Sequence, residues 1–277
     1  MRFAAIALLA VAAGSAYAQL NPDEKNIGAA FSLLRQNGEI MLELNGTEQV
    51  GARTTNLYSN AYFKWDSLNP DSFAKSEIND FVNNVHTHRI VGDGQTLWSY
   101  DFNQNAYSAF HYGAYSGPPP EGFRLNLLQE MTSASKGQTV VLARMLREIF
   151  GGVTAQYTTW LPMATVTWVG KGTTTESLKD PIANRTYVAS DQDAFVVYTY
   201  ATRPQRSASF HLTRADLTQP WSLSEIYYAD LQRINASNSR FVDWTITVHT
   251  SAFPFEATYI FKPPTTARPI ANVKGGG

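Results

Sequence analysis

Apolar and polar residues alternate at every second position through much of this chain, which is the period of a β-strand with one buried face. The clearest alternation lies toward the C-terminal end, at Val242, Trp244, Ile246 and Val248. Polar residues occupy the positions between them. The pattern predicts an antiparallel strand with one face toward a core and one toward water.

A three-strand meander is predicted in the first half of the chain. Its strands are Val85–Val91, Thr96–Asp101 and Ala106–Tyr112, separated by Gly-Asp-Gly and Asn-Gln-Asn turn sequences that favour tight reversals. Further strands are expected at Glu39–Leu44, Arg53–Asp66, Ala164–Val169, Thr186–Ala189, Phe195–Ala201, Ala208–Thr213, Phe241–Thr250 and Ala257–Lys262. Asn45-Gly46 is expected to turn the chain between the first two of these. The Ser222–Leu231 segment is compatible with strand or helix.

Two segments instead carry the helical period. Residues 22–36 follow a capping Asn21, begin with Pro22 and end before Gly38. Residues 123–150 follow a proline-rich connector. We therefore predict an α+β fold. Its centre is a strongly curved antiparallel sheet, an incomplete β-barrel, with the two helices covering the concave face.

The N-terminal residues have the pattern of an export signal. A positive start at Arg2 precedes the apolar run Phe3–Ala13, and Ala16-Tyr17-Ala18 is a small-residue cleavage site. We predict a signal peptide at residues 1–18, a single domain at 19–264, a flexible tail at 265–277, and a periplasmic location.

Composition narrows the possible functions. The net charge of -1 gives no electrostatic basis for nucleic-acid binding. The chain has no cysteine, which excludes disulfides, thiol catalysis and thiol-linked lipid attachment. The 15 Phe, 14 Tyr and 6 Trp residues are a surplus of apolar material that serves either a core or a ligand cavity.

Catalytic signatures are missing from the sequence. It contains no nucleophile elbow, zinc-binding helix, phosphate loop or dinucleotide turn, so we expect a protein that is not an enzyme and has no cofactor. One alternative is a metal-assisted enzyme. His86 and His88, two residues apart on a strand, would share a face, and His111 would supply a third ligand.

An apolar cavity is the remaining candidate site. Side chains from the sheet and from the second helix would line it, and they are Phe63, Trp65, Trp98, Tyr100, Leu125, Leu128, Met131 and Met145. Periodicity alone does not separate a lined cavity from a filled core.

The meander also carries a family resemblance. Val91–Asp101, which reads VGDGQTLWSYD, and the Asn103–Tyr107 segment after it resemble the strand–turn–strand signature of the periplasmic outer-membrane lipoprotein carrier (LolA-like) family. Phe261-Lys262-Pro263-Pro264, after a Phe253-Pro254 step, resembles its closing segment. The resemblance implies an incomplete antiparallel barrel, plugged by helices, whose cavity accepts acyl chains.

These observations predict a non-catalytic periplasmic carrier or chaperone that holds the acyl chains of a lipid or lipoprotein. It would act as a monomer and exchange cargo with donor and acceptor proteins of the inner and outer membranes. The alternative is an exported protein-interaction or scaffold module with a filled core.

Overall fold

Strand pairing organises this protein. The computed structural model describes residues 30, 33, 37–65, 73–93, 95–111, 164–202, 205–253 and 258–272. The strands are β1 (Glu39–Val50), β2 (Arg53–Trp65), β3 (Phe73–Val82), β4 (Val85–Gly92), β5 (Thr96–Asp101), β6 (Ala106–His111), β7 (Thr165–Val169), β8 (Ser177–Asp180), β9 (Arg185–Val188), β10 (Asp193–Tyr200), β11 (Gln205–Thr213), β12 (Ser222–Arg233), β13 (Ser239–His249) and β14 (Arg268–Asn272).

Twelve of these strands form one sheet, in the order β14-β6-β5-β4-β3-β2-β1-β13-β12-β11-β10-β7. All neighbours are antiparallel except β14 and β6, which run parallel. Strands β8 and β9 form a separate hairpin. The large sheet ends at β14 and β7 and does not close on itself.

The predicted α+β class is wrong. Most of the described residues lie in strands, and the elements that they form include no helix. The alternation of apolar and polar residues with a period of two predicted these strands, and the strands pair with one another into sheets. The predicted helix at 22–36 lies outside the described residues apart from Ala30 and Leu33, and the one at 123–150 lies entirely outside them.

The meander is confirmed as β4, β5 and β6, and the ambiguous Ser222–Leu231 segment is strand β12. Strands β3 and β8 were not predicted. The prediction of a strand at Ala257–Lys262 is wrong, because residues 258–264 have no ladder partner. The tail predicted to be loose from residue 265 contains β14, which pairs with β6.

The predicted turn at Asn45-Gly46 is also wrong. Strand β1 runs straight through both residues, and the chain reverses at Gly51, whose φ of 59° suits glycine. Gly46 serves a different purpose, since it pairs with Trp244 on β13 and lies beneath that indole. A Cβ added at Gly46 would lie 2.5 Å from the ring.

The main core lies on one face of the sheet, which we call the apolar face. Register places its side chains in two rows that cross from β4 to β10 and are buried throughout. The first row is Ile90, Ile78, Ala61 and Leu42, and the second is Leu44, Ile246, Ile226, Phe210 and Val196. At about 4.8 Å between strands, this face is about 34 Å wide.

We expect Gly46→Ala to lower the free energy of unfolding by about 1–3 kcal/mol, because the new methyl group forces the Trp244 ring out of its position. Urea unfolding measures the change. Gly38→Ala is the control, since a Cβ there meets no atom within 4 Å. Equal unfolding midpoints for the two variants would contradict the proposed role of Gly46.

Candidate functional site

A buried ion pair interrupts the apolar face near one end of its strands. Arg206 lies opposite Asp230 on neighbouring strands, and Asp230 lies opposite Val242. Arg206 Nε is 3.3 Å from Asp230 Oδ2, and the two side chains are 3% and 0% exposed. Burial of both charges is costly, so they depend on each other and on further hydrogen bonds.

Those further bonds converge on the same carboxylate oxygen. The Gln232 amide donates to Asp230 Oδ2 at 3.0 Å and the Tyr228 hydroxyl donates at 3.3 Å. One residue pair closer to the strand ends, Arg240 forms an ion pair with Glu48. We call Glu48, Arg206, Asp230, Gln232 and Arg240 the charged rim.

The apolar face and the charged rim together are amphipathic. Hydrocarbon side chains occupy the middle of the strands, and charged groups occupy one end. Such a surface matches a molecule that has an apolar chain and a polar head.

The rim was missed at the sequence level, although a signal for it exists. Asp230 is two residues beyond the buried Tyr228 and therefore lies on the same face of β12. Arg206 begins the same alternation on β11 that continues through Ala208 and Phe210. A charged residue that occupies the same alternate positions as the apolar residues of a strand points toward the core. Such a residue is expected to be buried and to need a partner of opposite charge.

The predicted cavity residues do not share one face. Phe63 is fully buried on the apolar face. Register links Phe63 through Ser76 and Gly92 to Leu97, so Trp98 lies on the opposite face, as does Tyr100. Trp65 ends β2 and only its backbone is described. Leu125, Leu128, Met131 and Met145 lie outside the described residues.

Trp98 and Tyr100 instead contact the C-terminal part of the chain. Their rings lie 5.8 and 5.7 Å from the ring of Phe261. On this opposite face, Met41, Tyr62 and Tyr259 form a small buried cluster. The aromatic residues of the meander therefore help to hold the segment that follows residue 257.

Glu77 is the polar anchor of that segment. Its Oε2 accepts hydrogen bonds from the backbone amides of Thr258 at 3.0 Å and Tyr259 at 3.1 Å, and Arg89 lies 2.9 Å from its Oε1. Burial alone would raise the pKa of Glu77. The hydrogen bonds from Asn79, Tyr259 and Thr258, with the charge of Arg89, outweigh burial and lower the pKa.

A second element covers the same face farther along the sheet. The β8–β9 hairpin places Tyr187 against Val169, Phe195 and Val197. Arg185 ties the hairpin to β13, with its Nη2 2.9 Å from Asp243. These contacts commit much of the opposite face to internal packing.

His86 and His88 do not share a face, as the metal-assisted alternative requires. A β-bulge near His86 places it opposite Phe81 and places His88 opposite Asp80, so the two imidazoles lie on opposite faces. The His86 ring stacks on Phe81 at 4.5 Å, and His88 Nε2 lies 3.5 Å from Asp101. The side chain of His111 is not described. Across the described residues, no group of three metal-ligating side chains comes together.

In the part of the chain that the structure describes, no helix has the length and apolarity needed to cross a bilayer.

No protein-family model and no curated protein matches the chain. Among solved structures it is similar to LprF from Mycobacterium bovis, at 8% identity and a TM-score of 0.37, covering 86% of this chain and 96% of that one. A DUF1329 family protein from Desulfovibrio piger matches at 6% identity and a TM-score of 0.30, covering 81% and 91%.

A domain from Vibrio parahaemolyticus, described as outer membrane lipoprotein-sorting, matches at 9% identity and a TM-score of 0.27, covering 84% and 95%. At these identities and TM-scores the matches carry no functional argument, which rests on the side chains described above.

We expect acid to loosen the C-terminal segment through Glu77. Because its pKa is lowered by folding, Glu77 contributes stability above the ordinary carboxyl value of 4.5 that is lost as the pH falls through the lower folded value. Glu77→Gln should remove about 1–3 kcal/mol at neutral pH and flatten the acid dependence in urea unfolding between pH 6 and pH 3.

Glu176→Gln is the control for this experiment, because Glu176 is exposed. Hydrogen exchange at the Thr258 and Tyr259 amides localises the effect. An unchanged acid dependence in Glu77→Gln would show that Glu77 does not anchor the segment.

The buried pair should show strong energetic coupling. Arg206→Met or Asp230→Leu alone leaves one buried charge without its partner and should cost about 3–5 kcal/mol. The double variant should be markedly more stable than the sum of the single losses predicts. Chemical unfolding of all four proteins measures this cycle, and additive losses would contradict the pairing.

Proposed function

We propose that this protein is a non-catalytic periplasmic carrier or chaperone for lipids or acylated lipoproteins. The apolar face would hold the acyl chains, and the charged rim would bind the polar head. The observation that carries the proposal is the rim itself, because a hydrocarbon surface bordered at one end by buried charges has the polarity of an amphiphile.

The driving force for such binding is the transfer of hydrocarbon from water. Each methylene group shielded contributes about 0.8 kcal/mol, so one long chain supplies affinity without a charge of its own. Ile246, Ile226 and Phe210 form a continuous hydrocarbon row across three strands, along which such a chain would lie.

The rim would add orientation. Arg206 and Arg240 are cationic groups at the end of the face, suited to phosphate or carboxylate oxygens. Asp230 and Glu48 hold them in place. A head group would compete for these arginines, while the chain would lie toward the middle of the strands.

In the same proposal, residues 1–18 direct export, and the protein is a monomer. It exchanges cargo with donor and acceptor proteins of the membranes. The competing function is an exported interaction module with a filled interior. Complete burial of the apolar face is what favours that alternative.

Bound amphiphile separates the two functions. We expect native mass spectrometry and solvent extraction of protein purified from a membrane-bearing host to reveal lipid, and a fluorescent fatty acid to bind and be displaced by unlabelled fatty acid. Protein that carries no amphiphile and does not bind the probe would favour the filled module.

A pair of alanines tests whether the apolar face is the site. Ala208 lies on the apolar face and Ala229 on the opposite one, and both are fully buried. Ala208→Leu should weaken fatty-acid binding at least tenfold, whereas Ala229→Leu, which imposes a similar packing cost, should leave the affinity unchanged. Equal affinities would place the binding site elsewhere.

A further inference from the structure

One end of the large sheet carries a row of exposed apolar side chains. Among the described strands, five hairpins turn at that end, and four of them, β5–β6, β3–β4, β1–β2 and β12–β13, have such a side chain at or beside the turn. They are Phe102, Val85, Val50 and Ile234, with exposed fractions of 39%, 59%, 38% and 54%. We call these four residues the tip row.

Register shows that the four turns share one end. Val50 lies opposite Arg53 across the first hairpin and opposite Arg240 on β13, which places the β12–β13 turn beside it. Leu57 lies opposite Val82, next to the β3–β4 turn. These hairpins follow one another in the sheet order, so the tip row spans about 30 Å at two strand spacings per hairpin.

Two cationic side chains lie at this end of the sheet. Arg53 and Arg233 are exposed there. The two acidic side chains nearest the tips already have partners, since Glu48 is paired with Arg240 and Asp101 accepts hydrogen bonds from the backbone amides of Asn103 and Gln104. An anionic surface would therefore meet exposed apolar side chains flanked by two exposed arginines.

Soluble proteins rarely align exposed apolar side chains along one edge unless the edge meets a partner. A membrane surface fits this edge because its outer layer is anionic and its interior is apolar. We propose that the tip row inserts into the interface of an anionic lipid membrane, with Arg53 and Arg233 against the lipid phosphates.

The charged rim lies beside this edge. Glu48 is two residues before Val50 on the same face of β1, a distance of about 7 Å. Docking through the tip row would thus bring the rim close to lipid head groups. The docking does not depend on whether the apolar face takes up a chain.

Vesicle binding tests the proposal. We expect the purified protein to sediment with large unilamellar vesicles of phosphatidylethanolamine and phosphatidylglycerol at 7:3, and less with pure phosphatidylcholine. The triple variant Val50→Ser, Val85→Ser, Ile234→Ser should lower the partition constant for the anionic vesicles at least tenfold.

The control variant removes exposed apolar side chains of similar size elsewhere. Val188→Ser, Leu217→Ser, Ile270→Ser alters residues with exposed fractions of 60%, 64% and 57% and should leave the partition constant unchanged. Equal losses in the two triple variants, or no sedimentation of the wild-type protein, would overturn the proposal.

A direct probe of insertion is available because the chain has no cysteine. Val85→Cys, Ile234→Cys and Leu217→Cys each accept one thiol-reactive, environment-sensitive dye. The dye should shift to shorter wavelength with anionic vesicles at positions 85 and 234 but not at 217. Identical spectra at all three positions would contradict insertion through the tip row.

Two further measurements separate membrane docking from lipid carriage and from dimer formation. Fatty-acid binding by the tip-row variant should match the wild type, so a failure of membrane docking is distinguishable from a failure of the carrier proposal. If the tip row instead joins two copies of this chain, ultracentrifugation will show a dimer that the tip-row variant loses, without vesicle binding, and the lipid proposal will be wrong.

Discussion

The register between β1 and its two neighbours is the constraint on which the rest of the structure depends. Strand β1 lies between β2 and β13 and joins the two halves of the sheet. Leu42 continues the row from Ala61, and Leu44 starts the row that runs through Ile246. A slip of one residue would turn every side chain of β1 to the other face, and both rows would be broken at the centre.

The two faces of the sheet differ in what contacts them and in where they carry charge. The opposite face is closed by pieces of the chain itself, through the β8–β9 hairpin and the segment held by Glu77. Among the side chains that the structure describes, the apolar face carries charge only near the strand ends, where Arg206 and Asp230 require each other. Because a buried charge without its partner is much costlier than a hydrocarbon group, their position on an otherwise apolar face needs a reason beyond stability, and recognition of a polar head would provide one.

Local sequence pattern was sufficient to predict a strand where turns and alternation agreed, as in β4, β5 and β6, and in β13 with its buried Val242 and Ile246.

Local sequence pattern failed where a distant contact decided the structure. Asn45-Gly46 has the sequence of a turn, yet Gly46 is required by the Trp244 ring from a strand almost 200 residues away. His86 and His88 have the spacing of a shared face, but a β-bulge separates them. The tyrosine at position 259 has the alternation of a strand and is held by Glu77 instead. For the candidate site, Phe63 was predicted to line a cavity and lies buried on the apolar face, while the pairing of Arg206 with Asp230 depends on strand order that no local window contains.

Strand order also connects the apolar face with the edge that carries the tip row. The charged rim and half of the tip row occupy neighbouring levels, since β1 carries Glu48 and then Val50, and Gln232 near the end of β12 is followed by Ile234 in the turn. Going along these strands, the surface changes from hydrocarbon to charged groups and then to exposed hydrocarbon. In a membrane, acyl chains lie beneath charged head groups. A docked tip row would therefore lie at the level of the acyl chains, and the rim at the level of the head groups. A lipid leaving the bilayer at this edge would pass its head group along the rim while its chain moved from one apolar environment to another. Such a path keeps hydrocarbon out of water at each step, and it requires no covalent chemistry from the protein.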